Sequence, residues 1–346
     1  METDNVITAK RPRNHTFDFL CGLCIIRMIV LHVTENCGFS NQDWWTEVMA
    51  WTYYFMSFFF FKAGYFNKTI SGNSKQYCID KVKRLLVPYV VWGLIGNVIV
   101  FVFAAFILDP KSTVVQTLSW EHVYRTSAFY GNGPTWFLFS FFWAYICMHF
   151  ISKVRGLRWI VMGFPVISWW LFTMDNPLWL SLNNVFFGIF LFFLGRVWRW
   201  LMERMGRRVT IAVSILFMAI FAWLNIYHHG EYVMSSNQWN GEWWAIPVNT
   251  VTSLCGISGL LIALRIPRIP VVNYIGEHSM VFFVAHYPML ILYKLIRTAN
   301  VHTLRGHWDD YIILLFILFG VCMLLVPYVE RVPWLSGKWK KQNAKI

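Results

Sequence analysis

The sequence predicts an all-α integral membrane protein, a polytopic bundle of about ten transmembrane helices, and three observations carry the prediction. Of the 346 residues, 57% are hydrophobic and only 14% charged, against about 25% charged in an ordinary soluble domain. The 20 Trp, 15 Tyr and 31 Phe suit the aromatic belts of a bilayer interface. Apolar stretches near the ~20 residues that a helical span needs recur along the whole chain, and Lys and Arg crowd into alternate connections.

The first span runs at about 18–35, behind Lys10, Arg11 and Arg13. Arg27 interrupts its apolar run and no small-residue cleavage site follows, so an uncleaved first helix is expected rather than a signal peptide. The second, about 44–66, follows a connection without basic residues and leads into Lys68, Lys75, Lys81, Lys83 and Arg84, which precede the third at about 85–107. The fourth, about 134–152, is followed by Lys153, Arg155 and Arg158; the fifth, about 158–174, is short and interrupted by Pro165. Arg196, Arg199, Arg204, Arg207 and Arg208 join the sixth (about 178–197) to the seventh (about 209–227), and Arg265 and Arg268 join the eighth (about 245–264) to the ninth (about 279–298). The tenth, about 310–330, precedes Arg331, Lys338, Lys340, Lys341 and Lys345. Only Lys111, Arg125, Arg297 and Arg305 fall on the other side, so both termini, residues 1–17 and 331–346, are expected in the cytoplasm. No linker, heptad run or repeat divides the chain, and 1–346 is read as one domain.

The net charge of +13 is thus a topology signal. With no soluble basic domain to hold it, membrane lipid is the expected partner and nucleic acid is not. Cys21, Cys24, Cys37, Cys78, Cys147, Cys255 and Cys322 have neither metal nor disulfide-framework spacing, so buried thiols are expected. The glycosylation patterns at Asn14 and Asn67 fall on the cytoplasmic side and are read as chance. On the outer side, His228, His229 and Glu231, and His302, His307, Asp309 and Asp310, match no metal-ligand spacing. No metal is predicted, and solvated loops are expected there.

The first span holds the chemistry. Asp18, Cys21 and His32 share one helical face, whereas Arg27 lies about 140° from His32. His32 stands ~21 Å beyond Asp18, in the outer half of the bilayer. Ionisable groups inside a span are costly enough that function is their default explanation.

Asp18-x-x-x-Gly22, with His32 ten residues on, resembles the first helix of the acyltransferase family 3 membrane proteins, which include sugar and polysaccharide O-acetyltransferases. Further blocks follow in the family's order: Met56 to Tyr65 with its phenylalanine run, Lys62 and Gly64; Lys81-Val-Lys83-Arg84 leading to Pro88-Tyr89; Trp136-Phe137-Leu138; Phe192-Phe193-Leu194-Gly195-Arg196; and Gly276 to His286. Three positions depart from the family pattern. Cys21 stands where a basic residue is usual, Ala63 replaces a serine, and Lys81 replaces an arginine. Lys62, at about the depth of Cys21, is the candidate to supply the missing charge.

The resemblance implies an acyl-CoA donor, commonly acetyl-CoA, and an acceptor hydroxyl on a cell-envelope glycan or lipid-linked sugar precursor, in a bacterial inner or plasma membrane. His32 is then the general base, with a covalent acyl-histidine as an alternative. Lys62, Lys81, Lys83 and Arg84 are the donor-binding candidates, the last three also explicable as topology signals. Asp18 is open between a helix cap and a site residue, and His286 between a catalytic and a packing role. On the acceptor side stand Trp136, Asn183, Asn184 and Glu47, the last open between orienting His32 and anchoring the surface. Two rivals from other classes are a transporter or flippase of a lipid-linked sugar and a non-catalytic family member. Inverted repeats with paired broken helices would mark the transporter, and none is evident in the sequence.

Overall fold

The computed structural model describes residues 14–67, 73–107, 120–154, 156–174, 178–227, 232–239, 242–263, 268–299 and 306–339. Lys10, Arg11, Arg13, Lys68, Lys111, Arg155, Arg265, Arg305, the lysines from 340 onward, and the loop residues His228, His229, Glu231 and His302 lie outside the described residues. Helices run as α1 His15–Asn36, α2 Asp43–Trp51, α3 Phe55–Phe66, α4 Ser74–Lys81, a π-helical turn Val82–Leu86, α5 Val87–Ile107, α6 Trp120–Thr126, α7 Trp136–Ile151, α8 Phe164–Thr173 and α9 Asn183–Met202. After α10 Arg207–Tyr227 comes an antiparallel hairpin, β1 Tyr232–Val233 and β2 Gln238–Trp239, in which Tyr232 faces Trp239. Then follow α11 Ala245–Ala263, α12 Pro270–Glu277, α13 Ser279–Ala299, α14 Trp308–Val329 and a final turn, α15 Pro333–Ser336.

The all-α class is as expected. Among the described residues, seven helical segments are long and apolar enough to cross a membrane: His15–Asn36, Ser74–Phe103, Gly133–Ile151, Trp179–Met202, Arg207–Tyr227, Ser279–Arg297 and Trp308–Val329. The other three expected spans take different forms. The fifth is a shorter apolar helix, Leu157–Thr173, and the eighth another, Ala245–Leu261. In the fifth, a 3-10 segment precedes Pro165, which opens α8 where a missing N–H does no harm.

The second expected span is not continuous: it breaks at Thr52 into α2 and α3. There the Thr52 hydroxyl bonds back to the Val48 carbonyl and accepts a hydrogen bond from Arg27 Nε. A threonine hydroxyl bonded back to the i−4 carbonyl bends a helix, and the chain turns here between α2 and α3.

α1 sits inside the bundle, packed on α3, α12, α13 and α14, while α9 packs on α3, α7 and α8. Phe58, Phe60, Phe61, Phe187, Phe192 and Phe282 are wholly buried between these layers. Two helix crossings are backbone to backbone. A side chain on Gly64 would collide with the Phe192 carbonyl and one on Gly195 with that of Phe61, so α3 and α9 are locked reciprocally. Gly22 against the Val272 carbonyl and Gly276 against that of Asp18 lock α1 to α12 in the same way. Only glycine permits such approach, the means by which apolar helices gain packing where lipid supplies no hydrophobic drive.

Candidate active site

The cap of α1 is Asn14, whose side-chain oxygen accepts from the backbone N–H groups of Thr16 and Phe17 at 3.1 and 3.4 Å. Asp18 is therefore not the cap; it sits buried in the first turn, beside Gly276. Near the other end of α1, His32 is 19% exposed, and its Nδ1 lies 3.2 Å from Glu35 Oε2, one helical turn on. A carboxylate can only accept, so the ring donates Nδ1–H and leaves Nε2 with a free lone pair.

A second imidazole lies against the first. His286, on α13, is fully buried and its ring stacks on that of His32 at 5.4 Å and 23°. It donates Nδ1–H to the Phe282 carbonyl at 2.9 Å, which leaves its buried Nε2 with no hydrogen-bond partner. Tyr287 meets the His32 ring edge-on at 5.2 Å.

These groups border a cavity of about 430 Å³, walled mostly by apolar atoms. His32, Arg27 and Glu35 come to its wall from α1, and Met49, Tyr53, Phe55, Met56 and Ser57 from the α2–α3 break. Gly133, Pro134 and Trp136 come from the start of α7, Tyr287 from α13, and Tyr232 to Ser235 from the hairpin. Tyr53 ties two of these walls together by donating its hydroxyl to the Tyr232 carbonyl at 3.1 Å.

Of the residues expected at a site from sequence, His32 and Trp136 are on this wall, and His286 lies behind His32. Glu47 is exposed on α2 and away from the wall; the carboxylate that holds His32 is Glu35. Asn184 is wholly buried and donates to Ser181 Oγ at 2.8 Å and to the Ser235 carbonyl at 2.7 Å, so it clamps the hairpin to α9. Asn183 is buried beside it with an unpartnered Oδ1.

The basic candidates gather towards the end of the bundle that carries His15. Lys81 stands over the Tyr145 ring at 3.4 Å. Lys83 lies 5.5 Å from the Trp339 ring, whose Nε1 donates to the Lys83 carbonyl at 2.9 Å. Arg84 is exposed on the π-helical turn, a wider coil that is frequent at functional positions. Arg196, not singled out by sequence beyond its block, donates to Ser152 nearby and keeps a buried, unpartnered Nε. Lys62 is half-buried on α3, within electrostatic range of Cys24, next to the turn that carries Cys21.

Among the described residues, His15, Asp18 and Glu277 bring one ligand-type atom each within 4.8 Å of one another, at the opposite end of α1 from His32. Glu277 also pairs with Arg268 at 3.4 Å, so that group already has a positive charge. Asp310, once grouped with the loop residues, is an ion-pair partner of Arg297 at 2.9 Å and accepts from the Tyr293 hydroxyl at 2.8 Å. All seven cysteines are free thiols.

Glu35, Arg27, Tyr53, Tyr232 and Tyr287 are among the wall residues that sequence reasoning did not bring to the site. Glu35 follows His32 at i+3, a spacing at which helical side chains meet, and that signal was legible. The family model described as an acyltransferase domain matches residues 14–329. No curated protein and no solved structure matches the chain.

Proposed function

Because the chain belongs to the acyltransferase 3 family, whose match covers nearly all of it, we propose that it transfers an acyl group, acetyl in the simplest case, from acyl-CoA to a hydroxyl of a cell-envelope glycan or its lipid-linked precursor. One observation carries the proposal: an imidazole with its proton fixed on Nδ1 and its Nε2 free, on the wall of a cavity lined mostly by apolar atoms. Such a nitrogen is a general base in the right tautomer.

In this scheme both termini face the cytoplasm, and acyl-CoA arrives at the end of the bundle that carries Lys81, Lys83 and Arg84. Their charges would hold the phosphates, which stay in water while the uncharged pantetheine arm reaches inward. Lys62, at about the depth of Cys21, would stand in for the basic residue missing at position 21. Acceptor would enter from the outer end, where Trp136, Tyr53, Tyr232 and Tyr287 offer ring faces and hydroxyls suited to a sugar.

His32 Nε2 takes the proton of the acceptor hydroxyl as its oxygen attacks the thioester carbon. Glu35 stabilises the imidazolium that results, and His286, stacked behind, holds the ring plane. The imidazolium then returns the proton to the departing thiolate. His286 acts here through His32, and Asn184 through the hairpin it clamps, as positioning residues.

The protein, purified in nanodiscs, is expected to release label from [acetyl-14C]acetyl-CoA, and His32→Ala to lose that release at unchanged expression and melting temperature. Equal activity in the variant would remove His32 as base. Mass spectrometry of envelope polysaccharide from cells with and without the gene identifies the acceptor.

A further inference from the structure

Arg27 was set aside by helical geometry, since it points about 140° away from His32. In the folded chain it reaches the same cavity wall. The residue is 6% exposed, and every hydrogen-bond and ring partner of its guanidinium is neutral. Nε donates to Thr52 Oγ1 at 2.7 Å, Nη2 lies against Met49 Sδ, and the guanidinium stands 4.8 Å from the Trp45 ring and 4.4 Å from that of Phe55. Nη1 is buried with no hydrogen-bond partner at all. A buried charge is normally paired, because its desolvation is otherwise uncompensated. None of the groups that the guanidinium bonds or stacks on carries a charge; the carboxylate within its electrostatic range is Glu35, on the same cavity wall and in no ion pair with it.

The surroundings favour an anion at this place. The first turn of α3, Phe55 to Ser57, lines the same wall, and a helix amino terminus carries partial positive charge. Arg27 lies ~7.5 Å nearer the His15 end of α1 than His32. If the donor arrives from that end, as proposed above, Arg27 lies on the donor's side of the base.

We infer that Arg27 is the electrophilic partner of His32: it stabilises the oxyanion that forms on the thioester carbonyl during acyl transfer. The inference rests on the acyltransferase assignment and adds a second catalytic residue to it. As the acceptor oxygen bonds to the acyl carbon, its proton passes to His32 Nε2 and the carbonyl π pair moves onto oxygen. That alkoxide accepts from the Arg27 guanidinium. When the carbonyl re-forms, the carbon–sulfur bond breaks, and the thiolate takes the proton back from His32. An anion bonded directly to the guanidinium is thus supplied only while the reaction passes its tetrahedral stage, where such a charge accelerates the step rather than tightening ground-state binding.

The test compares Arg27→Met and Arg27→Lys with wild type in nanodiscs, measuring label release from acetyl-CoA and, separately, equilibrium binding of acetyl-CoA. Removing one preorganised oxyanion donor is expected to lower kcat about 10²–10³-fold. The donor Kd should move less than about threefold, and lysine should recover part of the loss. An Arg27→Met enzyme with kcat near wild type overturns the inference, as does a loss that appears only in donor Kd or only in the KM for an anionic acceptor. Should Arg27→Met fail to fold, Thr52→Val removes only the hydroxyl that aims the guanidinium; lower kcat at unchanged Kd supports the role, and unchanged kcat overturns it. A wild type inert toward acetyl-CoA overturns the parent assignment and this one together, whereas an active wild type with an equally active Arg27→Met overturns this one alone.

Discussion

Glu35→Gln separates the two jobs a carboxylate can do beside His32. If Glu35 only stabilises the imidazolium, its worth follows from its geometry: Oε2 is 3.2 Å from Nδ1, and the side chain is 49% exposed. Unit charges that close attract by about 1.3 kcal/mol in water and about four times that near a protein surface. Half-exposed pairs keep far less, about 0.2–1 kcal/mol once screening and side-chain ordering are counted. At ~1 kcal/mol the loss in kcat is about fivefold. Glutamine still accepts from Nδ1–H, so the tautomer survives. Glu35→Ala removes that acceptor too and should cost about another fivefold, the net worth of one hydrogen bond. Removing the imidazole itself costs about 10²–10⁴-fold. The expected order of label release from acetyl-CoA is therefore wild type, Glu35→Gln, Glu35→Ala and, far below, His32→Ala, with Glu47→Gln near wild type. A Glu35→Gln enzyme as inactive as His32→Ala would refute the scheme, because Glu35 itself would then be taking the proton. An unaffected Glu35→Ala would refute the orienting bond.

Gly276→Val drives a side chain into the Asp18 carbonyl, where neither backbone can yield, and should cost at least ~1–3 kcal/mol in detergent-solubilised melts. Gly163→Ala, with nothing within 4 Å of the new carbon, should stay within ~0.5 kcal/mol, and equal losses at both would contradict the packing described. Burial raises the Glu330 carboxyl, but the hydrogen bonds from Lys338 and His278 outweigh it and bring the group below its ordinary value. Its stabilisation is therefore present above the ordinary glutamate range and lost as pH falls through the lowered value, so wild type should outmelt Glu330→Gln at neutral pH by a margin that closes on acidification. A margin that persists at low pH would contradict that sign. Cys78 is half-buried on α4, so a membrane-impermeant maleimide should label it in inside-out vesicles and not in intact cells; the reverse would invert the proposed orientation.

Much of this molecule is written in its composition. Apolar runs and basic connections place the helices because both report on a single partner, the bilayer, which acts at every residue alike. His32 stood out for the same reason, as an imidazole in lipid. What the sequence hid depends on pairs of distant segments. At the break, Thr52 is engaged by Arg27, 25 residues away. Arg27 stands about 140° from His32 on α1 and still borders the cavity, because its long side chain reaches Thr52 at the α2–α3 break. The hairpin joins the cavity through Tyr53 and Asn184, contacts spanning 179 and 51 residues respectively. The glycines of four recognised blocks, Gly22, Gly64, Gly195 and Gly276, were legible as letters; only the folded chain gives their meaning as two reciprocal crossings.

The crossing of α1 and α12 bears on how the protein lives in membranes of varying composition. α12 turns at His278 directly into α13, so the glycine clamp fixes the root of the helix that carries His286 against the root of the helix that carries His32. No rotamer intervenes at that junction. Thickening or thinning of the bilayer tilts helices at modest cost, but these two tilt as one jointed piece, and the interval between the imidazoles is insulated from the lipid around them.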